Sequence, residues 1–381
     1  RLLPYAIVEY DKFQIYAHSY ATSGTIENPQ WARQGPYSMK FDVTRAAELV
    51  LWFYLEHPSL PQGNCDFFLG KARIEPVLEE TKFTKQLKVE GGTGEISIEI
   101  QYTKNATPEL QALDGFDAYL GNSCCSSDCS IAQGKKKDTS LLYACKRLTN
   151  ANSSSHVFLS QADKPFIAPL KFVAQTSKGV GLHSPFIHGG PLFYHIQKPR
   201  RFDVDRCRFY AAEILCAFES LLRSNPSYRG PKTENILLDS IGHVVLCDFS
   251  LYNTDMEKTA HSMVEYPAPE LLLDQNYSSE IPSHRWWTLG VFLYEMLTGM
   301  PPFYAESIEE RQEKILSSEP IIYPNSLPLP AKDILTRLLD RNPEQRLGVK
   351  RGAIEIKEHS FFDCIDWDKL MRREYRPDFK P

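Results

Sequence analysis

Between Glu95 and Tyr102 apolar and polar residues alternate without a break. Ile96, Ile98, Ile100 and Tyr102 form one set, and Ser97, Glu99 and Gln101 the other. A period of two puts each set on its own face of a strand, so this segment predicts a half-buried strand. Gly91, Gly92 and Gly94 mark the turn before it. Leu49-Val50-Leu51-Trp52-Phe53-Tyr54 is a denser apolar run and Tyr5-Ala6-Ile7-Val8 a shorter one, and both predict strands. Several short strands within residues 1–103 predict a β-sandwich.

The pattern then changes. Residues 104–115 are mostly polar, contain Pro108, and read as a linker. From Asp203 the apolar positions Phe209, Ala212, Leu215, Cys216, Phe218 and Leu222 recur mostly at steps of three and four, the period of a buried helix face. Ser283 to Gly299 and Ala331 to Leu339 predict two more helices. The apolar stretch Trp286 to Leu297 is interrupted by Thr288, Gly290 and Glu295 and suits a buried helix better than a membrane span. The fold class is α+β, with a sandwich ahead of a mixed domain.

Composition narrows the function. At roughly 100–200 residues per domain, the length fits two or three domains. Lys and Arg number 43 against 48 Asp and Glu, a net charge of −5, so no global basic field points to nucleic acid. Nine cysteines, an odd count in 381 residues, predict free thiols in a reducing compartment, hence the cytoplasm. Cys124, Cys125 and Cys129 lack zinc-type spacing and a nearby His, so they too read as thiols. Arg1-Leu2-Leu3-Pro4-Tyr5 has no secretory pattern and no initiating Met, which suggests a fragment.

A series of motifs then carries a resemblance. Tyr143-Ala144-Cys145-Lys146 looks like the strand whose Lys grips nucleotide phosphates. Pro165 to Leu170, the hinge-like Gly189-Gly190-Pro191-Leu192-Phe193 and the loop Tyr228-Arg229-Gly230-Pro231-Lys232-Thr233-Glu234-Asn235 follow in order. Cys247-Asp248-Phe249-Ser250, Ala268-Pro269-Glu270, Trp286-Trp287-Thr288-Leu289-Gly290 and Leu297 to Phe303 complete it. Residues 116–363 resemble a bilobal protein kinase domain. Tyr228 and Pro377-Asp378-Phe379-Lys380-Pro381 are similar to the AGC serine/threonine kinases, and residues 364–381 to the start of their C-terminal tail. The fungal yeast-protein-kinase and serum- and glucocorticoid-induced-kinase branch is the nearest likeness. In that light Pro4 to Val8, Asn28 to Trp31 and Asp66 to Gly70 resemble landmarks of a C2-like sandwich, truncated before its expected first strand.

The resemblance assigns roles. It implies nucleotide contacts from Lys146 and Gly121, phosphate contact from Lys232, and magnesium ligation by Asn235 and Asp248. Glu270 and Arg346 would form a structural pair, and a phosphate on Thr259 would meet Arg229. Against these stand departures. Gly230 occupies the position of the catalytic Asp, a base whose positioning contributes typically ~10²–10⁴-fold. Only Gly121 remains of the glycine-rich loop within residues 120–134, and Asp128 adds negative charge there. No Glu lies between Lys146 and Pro165; Ser155 stands near the expected position and Asp163 is the nearby acid. Ser250, Arg285 and Pro191 replace a Gly, a bracing Asp and a substrate-reading Glu.

The reading is a pseudokinase acting as scaffold or allosteric partner in signalling, with signalling proteins, an active kinase among them, as partners. The alternatives are a weakly active serine/threonine kinase and a lipid-surface adaptor. ATP and Mg²⁺ are the candidate cofactors. No calcium is expected, because Leu2, Leu3, Leu55, Glu56 and His57 stand where the C2 resemblance sets acids and only Asp66 matches. Calcium-independent membrane contact through the first domain, and so a peripheral location, is a further expectation.

Overall fold

The computed structural model describes residues 4–19, 25, 28–31, 38–56, 66–75, 79–104, 116–124, 130–148, 164–176, 179–197, 201–224, 231–252, 265–273 and 283–381. Strand β1 (Pro4–Tyr10) is buried along its whole length. It pairs antiparallel with β2 (Phe13–His18) on one side and β3 (Leu49–Leu55) on the other, and β4 (Phe67–Ile74) completes a sheet of order β2-β1-β3-β4. The β1–β2 hairpin turns on Asp11 and Lys12, both at positive φ, as a two-residue turn that follows the strand twist requires.

The two faces of β1 bury different partners. Ala6 and Val8 pack with Leu51, Phe53, Ala72 and Ile74. Across from them lie Leu87, Ile96, Ile98 and Ile100 of the ribbon β5 (Lys82–Lys88) and β6 (Glu95–Gln101). Tyr5 and Ile7 cluster on the other face with Trp52, Tyr54 and Ile241, a residue of the second region. The predicted β6 is present with its alternation. Tyr102 falls just beyond it, and its N–H still closes the ribbon onto Thr81 at 3.1 Å. Gly91 takes φ +74° in the turn.

The second region opens with a five-stranded antiparallel sheet of order β10-β11-β9-β8-β7. Its strands are β7 (Phe116–Cys124), β8 (Ser130–Lys136), β9 (Leu142–Leu148), β10 (Phe172–Thr176) and β11 (Gly179–Pro185). Below it lies a helical lobe. The expected helix face after Asp203 is the helix Val204–Ser224, capped where the Asp203 carboxylate accepts from Arg206 N–H at 2.8 Å. Helix Ser283–Thr298 carries Trp286, Leu289, Leu293 and Met296 into the same core. It stops at Gly299, whose left-handed φ of +86° supplies the C-terminal cap. The third expected helix is Leu329–Leu338, two residues earlier at its start than its apolar pattern implies, with a Pro in its first turn. Gly290 lets these two helices touch: a Cβ there would lie 2.9 Å from Leu338 Cβ.

The first sheet packs on both parts of the second region. Asp11 pairs with Lys171 of the strand-rich lobe, both side chains fully buried, and Arg45 binds the same carboxylate. Asp42 accepts from Lys136 at 2.6 Å and from the Tyr143 hydroxyl. On the helical side Gln14 Oε1 accepts from Ser240 N–H at 2.7 Å, and Arg373 bridges Glu9 and Asp239. The expected linker lies almost wholly outside the described residues.

Candidate nucleotide site

The frame of the site is a hairpin, β12 (Ile236–Leu238) and β13 (Val244–Leu246). Its turn is set by one carboxylate: Asp239 Oδ1 accepts from the N–H groups of Ile241, Gly242 and His243 at 3.0, 2.9 and 2.9 Å. Backbone bonds clamp both edges. Leu246 exchanges bonds with Phe166 and Ala168, and Leu238 with Gly189 and Gly190, at 2.8–2.9 Å. The resemblance implies a strand at residues 165–170, but the segment forms only a single bridge, Ile167 to Leu246. It and the hinge-like Gly189-Gly190 still hold the hairpin through these backbone bonds.

Asn235 and Asp248 stand at the open end. Cys247 N–H donates to Asn235 O at 2.8 Å, which ties the two strand ends together. Asp248 is 8% exposed and Asn235 half-buried. Lys232 belongs to the same turn, since Asn235 N–H donates to its carbonyl at 3.0 Å. Its ammonium lies 3.9 Å from the exposed Glu234 carboxylate.

Lys146 lies on β9, opposite Ile131 of β8 and Leu182 of β11. Burial pushes the Cys247 thiol up to about 12; the Asp248 charge adds to the rise, and the Ser184 hydroxyl and the Lys146 charge oppose it. Gly121 falls where the β7–β8 register breaks, between Leu120 opposite Gln133 and Asn122 opposite Ala132. The hairpin that would cover phosphates is present in its backbone, while residues 125–129 at its tip lie outside the described residues.

Glu270 and Arg346 meet as expected. The guanidinium donates twice to the carboxylate, at 2.5 and 2.8 Å, and stacks over Trp287. Pro191 bridges to Leu237 and leads directly into the helix Leu192–Gln197, so a helix start occupies the place where the resemblance sets an acid. Arg285 is buried in the first turn of helix Ser283–Thr298. Ser250 lies in the helical turn Phe249–Tyr252, whose Phe249 is in the core. Arg229, Gly230, Thr259, Ser155, Asp163 and Asp128 lie outside the described residues.

Sequence reasoning missed the acids Glu9, Asp11 and Asp42 that join the two regions. Glu9, inside the apolar run Tyr5–Tyr10, was the one visible signal, since a buried acid needs a partner. No helix among the described residues is long and apolar enough to cross a membrane.

Comparison with known proteins agrees with this geometry. The protein kinase domain family matches residues 127–362. The serine/threonine protein kinase ypkA of Aspergillus fumigatus is 41% identical over the whole chain, which covers 66% of that protein. The serine/threonine-protein kinase gad8 of Schizosaccharomyces pombe is 42% identical over the whole chain, covering 68% of it. YPK1 of Saccharomyces cerevisiae, also a serine/threonine-protein kinase, is 42% identical over 77% of the chain and is covered to 45%. The chain thus spans about two thirds of the first two relatives and under half of the third. With its hairpin, its Glu270–Arg346 pair and these relatives, the chain belongs to the protein kinase family, among serine/threonine kinases of the AGC type.

Proposed function

We propose that this chain is a signalling protein whose kinase fold binds nucleotide and acts as a scaffold or allosteric partner, with phosphoryl transfer strongly impaired. The observation that carries this reading is Gly230. A residue without a side chain cannot orient or accept the proton of a substrate hydroxyl, and a positioned base is worth typically ~10²–10⁴-fold. Ser250 and Arg285 depart in the same direction.

The remaining donors fit ATP with Mg²⁺. Asp248 supplies a carboxylate and Asn235 an amide oxygen from two strand ends that a backbone bond ties together, a suitable pair for a cation that completes its shell with phosphate oxygens and water. Lys146 and Lys232 would bring positive charge to the phosphates. When bound, the metal would neutralise phosphate charge.

Residues 1–103 read as a C2-like sandwich that works without calcium. The proposed setting is the cytoplasm with peripheral membrane contact through that sandwich, and the proposed partners are signalling proteins, an active kinase among them. A second reading, a weakly active kinase with a displaced base, is supported by the relatives' names. Phosphoryl transfer to a panel of Ser/Thr peptides decides between them. The first reading expects Mg·ATP binding with transfer at background. Transfer that disappears in Asp248→Ala establishes the second and overturns the first.

A further inference from the structure

One side chain of the tail crosses to the first sheet. Lys380 Nζ lies 4.3 Å from the ring centroid of Tyr54, 4.5 Å from that of Tyr5 and 6.0 Å from that of Tyr16. It donates to the Asp66 carboxylate at 3.1 Å and to the Tyr5 hydroxyl. The Tyr5 hydroxyl in turn donates to Asp66. Ring faces carry negative charge density, and several of them with a carboxylate around one ammonium make a cation cage.

The cage is built by strand register. β1 and β3 set Tyr5 opposite Tyr54. Tyr16 of β2 and Tyr54 each stack on Tyr5, with centroids at 6.1 and 5.5 Å. The row is therefore set by the pairing of β1 with β2 and β3. The ion is delivered from the other side of the junction. Phe379, the preceding residue, packs against His195 and under Arg206 of the helical lobe. Its carbonyl lies so close to Gly242 that a Cβ there would collide with it. Lys380 is thus anchored through Phe379 on the helical lobe and held by the first sheet.

Asp66 is also the one acid that matches the calcium loops of the C2 resemblance. Here its cation is an ammonium. We propose that Tyr5, Tyr16, Tyr54 and Asp66 form a binding site for the alkylammonium group of a lysine side chain, with Lys380 as its occupant in cis. The site latches the tail across the junction between the sandwich and the kinase fold, and it accepts a free alkylammonium when Lys380 is withdrawn.

The test uses the full chain and n-butylammonium chloride as probe, with sodium chloride and n-butanol as controls. Lys380→Ala should lower Tm and raise amide exchange at Arg376, Asp378 and Phe379 and along β1 on the order of tenfold. Millimolar n-butylammonium should reverse both effects, and neither control should. Lys380→Arg should keep most of the protection, and Lys380→Gln should lose it. In Lys380→Ala combined with Tyr54→Leu the probe should do nothing. Unchanged exchange in both Lys380→Ala and Lys380→Gln overturns the proposal. So does a probe effect of equal size in the double variant. Neither outcome bears on phosphoryl transfer, so this inference stands or falls apart from the proposed function.

Discussion

Arg346 and Lys146 are both cations that the kinase resemblance pairs with a glutamate. Arg346 has its partner. It forks onto Glu270, and Ser283 donates to the same carboxylate at 3.2 Å. Around Lys146 no Glu follows before Pro165, and Gly230, Ser250 and Arg285 stand where the resemblance sets other residues. The difference follows from what each site is for. Arg346 is completely buried, so losing its partner would strand a charge away from water, and folding itself opposes that change. At Gly230, by contrast, the resemblance sets an Asp whose role is toward a substrate hydroxyl rather than a buried counter-ion.

The sharpest way to break this comparison is to remove Arg346. Arg346→Ala should destabilise by ~3–5 kcal/mol, measured by denaturant unfolding. A loss below about 1 kcal/mol would mean that the pair does not hold the helical lobe. The second test acts on the cleft. Mg·ATP at ~100 times its Kd should stabilise the folded chain by ~2.7 kcal/mol. Lys146→Ala should abolish that gain while shifting the nucleotide-free stability by less than ~1 kcal/mol. A large loss without nucleotide would make Lys146 structural, like Arg346.

A third test uses pH. His183 is buried, stacked on Phe172 at 4.4 Å, and burial lowers its pKa to about 4. The unfolded value is near 6.5. As pH falls below about 6.5 the unfolded chain takes up a proton that the folded chain refuses, so stability falls with pH, by ~1.4 kcal/mol per unit from this group, until about 4. His183→Phe should flatten that slope in urea unfolding between pH 6.5 and 4.5. An unchanged slope would place the titration elsewhere. The smallest effect is a calibration. The Ser307 hydroxyl accepts from Glu310 N–H at 3.1 Å and caps the helix Ile308–Leu316. Ser307→Ala should cost ~1 kcal/mol and leave nucleotide binding unchanged, and a change in binding would show the lobe and the cleft to be coupled.

Much of the architecture was legible residue by residue. Strand β6 and the helices at Val204–Ser224 and Ser283–Thr298 follow from local period, because the face that alternation or a 3.6 repeat presents is decided within a few residues. Strand β2 was not legible. Its turn, Asp11-Lys12, lacks the glycine that usually marks two residues at positive φ, and Asp11 is held there by Lys171 and Arg45 from outside the hairpin. For the candidate cleft, motif order points to Lys146, Asn235 and Asp248. It could not show that Asn235 and Cys247 share a backbone bond, or that Ser184 adjoins the Cys247 thiol.

By itself the sequence determined much of the division into strands and helices, and the family, because both are written in local spacing and motif order. Only the tertiary structure decided which charges meet. Asp11 and Lys171 are 160 positions apart, and Glu9 and Arg373 are 364 apart. A charged residue in a sequence carries no mark of its partner. Pairing is chosen when two buried surfaces close and each ion must find its counter-ion in the space that remains.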